Sequence, residues 1–111
     1  PKYNARKTLC PHGHSHDSKF EADRCHELHM LQRAGEITAL AVHPQFWFSI
    51  NGVQIKHANG RRVGMKPDFQ YFEGDTSVVE DAKGFRTPDY VLRVAIFRAL
   101  YPYIDFREVT R

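Results

Sequence analysis

Asp68, Asp81 and Lys83 are the residues of this chain whose types and spacing best suit chemistry on a charged substrate. They fall in two extended stretches, Lys66-Pro67-Asp68-Phe69 and Val79 to Phe85, separated by the turn Glu73-Gly74-Asp75-Thr76. Side chains alternate between faces along a strand. Asp81 and Lys83 therefore share one face of the second strand and Glu80 and Ala82 the other, while Lys66, Asp68 and Gln70 share a face of the first. If the turn closes with Phe72 opposite Ser77, Asp68 stands opposite Asp81. Opposed residues have Cβ atoms ~5 Å apart, and like charges at that distance repel. A slip of one residue would turn one carboxylate to the other face. Paired carboxylates beside a lysine call for a divalent cation, because hard cations such as Mg²⁺ take oxygen ligands.

A helix is expected before this hairpin and another after it. Ser18-Lys19-Phe20-Glu21 has the form of a capping box, and Gly35 ends the helix that follows. Cys25, Leu28 and Leu31 make its apolar stripe, and Glu21 falls in phase with it. Glu21 either completes the capping box or reaches the Asp68/Asp81 site. Thr87 and Pro88 open the second helix, which runs to about Leu100 and carries almost no polar face, as a helix buried against a sheet would. Tyr90 and Arg93 stand out near its start, as structural partners or as phosphate contacts. The stretch from Glu36 to Ile50 is rich in β-branched and aromatic residues and reads as extended, with a bend at Pro44. Asn51-Gly52 and Asn59-Gly60 mark turns. Lys56, His57, Arg61 and Arg62 make the second of these loops basic, whether solvated or facing DNA. Tyr103 to Val109 is a last short strand.

The beginning of the chain is different in character. Lys2, Arg6 and Lys7 make a basic arm, and Leu9 to Asp17 is a turn or short hairpin containing Cys10, His12, His14 and His16. Cys25 and His29 lie four apart on the first helix, so Cys10, His12, Cys25 and His29 form one candidate Cys₂His₂ set. Their spacing lacks the paired C-x₂₋₄-C and H-x₃₋₅-H of a zinc finger, and Cys25 reads as core. No stoichiometric zinc is expected.

The 111 residues suffice for one domain with one core, and 41% hydrophobic and 13% aromatic content exclude a disordered chain. No apolar run approaches the ~20 residues that span a bilayer, and the start shows no signal-peptide pattern. Two cysteines make no disulfide framework, which points to a reducing, intracellular compartment. A net charge of +3 suits a polyanionic partner.

Pro67-Asp68 followed by Asp81-Ala82-Lys83 resembles the PD-(D/E)xK nuclease superfamily, and the expected order of helix, three strands, helix and strand matches its restriction-endonuclease-like core. Further motifs are similar to those of small phage-encoded proteins: Lys2-Tyr3, Ser18 to Glu21, Gly35-Glu36-Ile37, His43-Pro44-Gln45-Phe46, Asp68-Phe69, Val79 to Phe85, and Tyr90. The Cys10 to His16 stretch departs from that pattern. The resemblance implies a single α/β domain over 18–111, with a mixed central sheet, behind an arm and turn over 1–17. It implies a DNA endonuclease acting in phage recombination, repair or packaging, in the cytoplasm of a bacterial host. Asp68, Asp81, Glu21 and the Ala82 carbonyl would hold Mg²⁺ or Mn²⁺, and Lys83 would act on the attacking water. Tyr90, Arg93, Arg61 and Arg62 would contact DNA, and a homodimer would cut both strands. The rival expectations are a non-catalytic DNA-binding or regulatory protein on the same fold, and a small zinc-binding interaction module.

Overall fold

The structure, a computed structural model, describes residues 8–16, 18–82 and 86–110. In chain order its elements are β1 (Thr8–Leu9), β2 (Ser15–His16), α1 (Lys19–Arg33), β3 (Thr38–Val42), β4 (Phe46–Trp47), β5 (Ser49–Ile50), β6 (Val53–Gln54), β7 (Gly64–Met65), β8 (Phe69–Glu73), β9 (Thr76–Ala82), α2 (Pro88–Leu100) and β10 (Asp105–Val109). Lys83 lies outside the described residues, as do Gly84, Phe85 and the basic residues Lys2, Arg6 and Lys7.

Both helices start and stop where local chemistry dictates. The Ser18 hydroxyl accepts the Glu21 N–H at 3.1 Å. Gly35, at φ +81°, turns the chain so that its own N–H reaches the Gln32 carbonyl and the Glu36 N–H reaches that of Leu31. These bonds satisfy carbonyls that a helix end otherwise leaves open. Thr87 caps α2, with Pro88 in its first turn.

The central sheet runs β10-β9-β8-β3, with β9 parallel to β10 and the other pairs antiparallel. The parallel pair is joined through α2, as parallel strands need a long crossover. Phe72 pairs with Ser77 and Phe69 with Glu80, and one further step of that register puts Asp68 opposite Asp81. Gly74 makes the turn possible at φ +61°, a conformation that costs glycine little.

Period-2 alternation along β9 divides the core. Val78 joins Cys25, Leu28, Phe69 and Tyr71 in a cluster built with α1. Val79 joins Phe48, Val94, Phe97 and Phe106 in a cluster built with α2. Helices thus cover both faces of one mixed four-stranded sheet.

Three expectations need correction. The extended stretch from Glu36 to Ile50 is broken into strands of different sheets: His43, at φ +55°, and Pro44 separate β3 from β4. Residues 46–65 form a small separate ribbon, with β4 paired to β7 and β5 to β6. The second helix is not buried all round, since Val91 and Leu92 are 53% and 60% exposed. One sheet covers one side of a helix, and only Val94 and Phe97 are fully inside. Leu31 also lies at the edge of its stripe rather than in the core. The hairpin expected at Leu9 to Asp17 is β1–β2, with Thr8 opposite His16. No helix among the described residues is long and apolar enough to cross a membrane.

Candidate functional site

The ends of β3, β9 and β10, the start of β8 and the first turn of α1 meet at one end of the sheet, and acidic side chains gather there. Asp68 donates its N–H to Asp81 Oδ1 at 3.2 Å, and its own Oδ2 accepts the Ala82 N–H at 2.7 Å. Glu21 approaches Asp68 from α1, near enough for each carboxyl to shift the other's proton affinity. Glu21, Asp68 and Asp81 are only 5%, 8% and 2% exposed, so their charges have little water to spread into.

Burial, then the charges of Asp81 and Glu21, push the Asp68 carboxyl up to about 9. Burial works on Glu21 in the same direction, but hydrogen bonds from His43, His16 and Asp68 outweigh it and hold that carboxyl below its usual range. Asp68 is therefore held protonated beside a charged Glu21. His43 Nε2 lies 3.0 Å from Glu21 Oε2, and His16 Nδ1 donates to the same oxygen. His43 is in turn fixed by its N–H, which reaches the Asp68 carbonyl at 2.8 Å. A cluster of buried carboxyls in which one is held protonated by its neighbours has the donor chemistry of a hard-cation site, because a divalent ion can replace that proton and relieve the repulsion.

Ser18 and Glu21 begin a capping box, but the Glu21 carboxylate turns inward to His16 and His43. Glu80 points to the opposite face from Asp81, as the alternation requires. There it takes a two-pronged ion pair from Arg24, at 2.8 and 2.7 Å, and a hydrogen bond from the Tyr71 hydroxyl. That pairing raises the Arg24 guanidinium and accounts for a buried Glu80 outside the acidic cluster.

Tyr90, in the first turn of α2, does face the cluster. Burial, followed by the charges of Asp81 and Glu108, holds its hydroxyl protonated. Its oxygen is 3.3 Å from Glu108 Oε2, and Glu108 is the β10 residue in register with Asp81. Arg86 pairs with the same Glu108 oxygen at 3.0 Å. Arg93 does not join this group: its Nε donates to Asp89 at 2.9 Å and its Nη1 to the Gly64 carbonyl. Arg61 and Arg62 lie on the exposed loop that follows β6, apart from the acids, with the Arg62 guanidinium 4.0 Å from the centre of the Trp47 ring.

His16, His43 and Glu108 are members of this group that sequence reasoning does not assign to it. Glu108 has a signal, since a strand paired in parallel with β9 must put one residue beside Asp81. The histidines come from other segments and show no local pattern.

A second cluster sits on the other side of His16. Cys10 and Cys25 have sulfurs 3.6 Å apart, and His14 Nδ1 lies 3.6 Å from one and 3.5 Å from the other. Cys10, His14, His16 and Cys25 each offer a ligand atom within 4.8 Å of all the others. The set Cys10, His12, Cys25 and His29 is not the one brought together. His12 stacks on His29 at 3.8 Å between ring centroids and meets His26 at 3.2 Å, while His29 Nδ1 lies 2.8 Å from the Cys25 carbonyl. Burial pushes the Cys10 thiol up, but contacts with His16 and with the backbone at His12 and His14 outweigh it, bringing it down to about 6.

Compared with known families, residues 1–111 match the family described as Protein of unknown function (DUF1064), and the chain belongs to it. No curated protein and no solved structure matches it.

Proposed function

We propose that this member of the DUF1064 family is a divalent-metal-dependent DNA endonuclease with a PD-(D/E)xK site on a restriction-endonuclease-like core. The observation that carries the reading is the convergence of Asp68, Asp81 and Glu21, three buried carboxyls from the lead-in to β8, from β9 and from α1, at one end of the sheet. Asp81-Ala82-Lys83 continues from that point in the spacing of the superfamily motif.

Asp68, Asp81 and Glu21, with the Ala82 carbonyl, would hold Mg²⁺ or Mn²⁺. Bound there, the ion would acidify a water and neutralise charge on the scissile phosphate. The chain's own groups would do the rest. Asp68 would be a ligand once its proton is released. His16 and His43 keep Glu21 ionised and aimed at Asp68. Lys83, two residues after Asp81 in the motif spacing, would orient the attacking water and offset the negative charge that builds on the phosphate oxygens. The water oxygen bonds to phosphorus as one P–O ester bond breaks, leaving a phosphomonoester and a hydroxyl. Tyr90 and Arg86 would meet the flanking phosphates beside Glu108. Arg61 and Arg62, on the exposed loop, would add sequence-independent attraction. A homodimer would place two such sites on opposite strands. A phage setting, in recombination, repair or packaging within a bacterial host, is the one the motif resemblance implies.

The test is a cleavage panel of linear duplex, single strand, flap, nicked duplex and four-way junction, with Mg²⁺, Mn²⁺ or EDTA. We expect cutting of at least one substrate with either metal and none in EDTA. No cleavage of any member, with the protein folded and metal present, would contradict the reading.

A further inference from the structure

We infer that Cys10, His14, His16 and Cys25 form a zinc site that fastens the β1–β2 hairpin to α1. The expectation from spacing is the opposite, because it looks for paired ligands along the chain. The fold supplies them from two places instead: Cys10, His14 and His16 from the hairpin, and Cys25 from the second turn of α1.

The separations among Cys10, His14 and Cys25 are those of a tetrahedral centre, and His16 offers a nitrogen within 4.8 Å of all three. With Zn–S near 2.3 Å and Zn–N near 2.0–2.1 Å, tetrahedral angles put sulfurs about 3.8 Å apart and sulfur and nitrogen about 3.5 Å apart. The observed values are 3.6 Å for Cys10 to Cys25, and 3.6 and 3.5 Å for His14 Nδ1 to the two sulfurs. A pair of thiolates and a pair of imidazoles is a donor set that zinc favours over Mg²⁺.

His16 supplies the independent observation. Its side chain is fully buried. Its Nδ1 is engaged by Glu21. Its Nε2 is the one buried side-chain nitrogen or oxygen, among the described residues, without a hydrogen-bond partner. A buried polar atom left open costs stability, and buried groups are nearly always paired. With the proton fixed on Nδ1 by Glu21, Nε2 presents a lone pair, which is what a metal takes. A carboxylate behind a ligating histidine is also the common arrangement at zinc sites. The alternative trio of His16, Glu21 and His43 suits zinc less well. There the nitrogens donate hydrogens to Glu21, so they point protons rather than lone pairs at the shared oxygen.

The backbone is shaped for the role. The His14 carbonyl accepts the Cys10 N–H at 2.9 Å, and the Cys10 carbonyl accepts the Gly13 N–H at 3.0 Å, closing a tight loop around the first ligand. A small hairpin of two-residue strands has little core of its own, and a metal bond is one way such a piece is held. The occupant is a single zinc ion, distinct from the hard cation proposed at Asp68 and Asp81.

The test uses the full chain and two metals, with no activity readout. Protein purified under reducing conditions without chelator should carry one zinc per chain by plasma mass spectrometry. After zinc removal, Co²⁺ should bind and give the intense visible absorption of a tetrahedral, thiolate-ligated ion, and added zinc should erase it. His16→Gln and Cys10→Ser should abolish that spectrum, while His12→Ala leaves it unchanged. Glu21→Gln, which meets the zinc set only through Nδ1 of His16, should weaken zinc by roughly 10–100-fold. Because Cys25 is core, its substitution is not relied upon. Metal-free reduced protein that stays folded and takes up no Co²⁺ would overturn the proposal. So would a weak octahedral spectrum, one indifferent to His16→Gln, or a Cys10–Cys25 disulfide recovered in place of zinc.

Discussion

The backbone N–H of Asp68 points at the carboxylate of Asp81, 3.2 Å away across the β8–β9 hairpin, and the Ala82 N–H returns the contact to Asp68 at 2.7 Å. Each acid is thus oriented by the other's strand. The two acids are held near one another with little water, so the charge of Asp81 helps keep a proton on Asp68, and a cation could take that proton's place.

Metal affinity should follow from this directly. Asp68→Ala and Asp81→Ala should each abolish Mg²⁺ binding at the hairpin while the fold persists, since removing one of two repelling acids relieves strain rather than creating it. Isothermal titration with Mg²⁺ or Mn²⁺ checks this, and undiminished binding in both variants would remove the pair from the proposed site.

The pH dependence of stability has a definite sign. The Asp68 carboxyl is raised from 3.8 to about 9 in the fold. Between those values the native state holds a proton that the unfolded chain has lost. The contribution of Asp68 is therefore fully present below the unfolded value and is lost as pH rises through the folded one. In EDTA, stability should fall as pH climbs from mildly acidic to 9, by up to about 1.4 kcal/mol per unit for a single proton. Asp68→Asn should flatten that slope relative to wild type, and Mg²⁺ should counteract it. Urea midpoints taken across the range measure both, and parallel slopes for the two proteins would refute the assignment.

Glu80 is predicted to matter for the fold and not for the metal. Glu80→Ala strands the Arg24 guanidinium and the Tyr71 hydroxyl beside an empty pocket, a change that costs about 3–5 kcal/mol for a buried ion pair. Mg²⁺ affinity of whatever fraction folds should match wild type. A stable Glu80→Ala protein with lost metal binding would reverse the roles assigned to Glu80 and Asp81.

The parts of this site that can be read from the sequence are those governed by local rules. Hairpin register follows from counting residues around Gly74, so the opposition of Asp68 and Asp81 is legible from the amino acids alone. The phase of α1 follows from Ser18 and the apolar stripe, which put Glu21 on the inward face. The break at His43 and Pro44 is less so, because β-branched and aromatic residues run on through it and only pairing partners distinguish the two strands. His16, His43 and Glu108 reach the cluster through contacts 5, 22 and 18 residues apart in sequence, which no periodicity records. The Cys/His cluster escapes spacing rules for the same reason. Its fourth ligand is a core cysteine on a helix, and burial and metal binding look alike in a sequence.

Single-turnover DNA cleavage, measured with affinity on the same substrate at one salt concentration, tests the central claim most directly. Wild type is compared with Asp81→Asn and Lys83→Ala. Lys83 lies outside the described residues and enters here on its sequence spacing alone, two residues after Asp81. Its charge matters most where negative charge develops in the transition state. Both substitutions should slow cleavage by roughly 100-fold or more while DNA affinity changes little, since one phosphate contact among many is a small part of binding. Variants that cut at the wild-type rate would contradict the account.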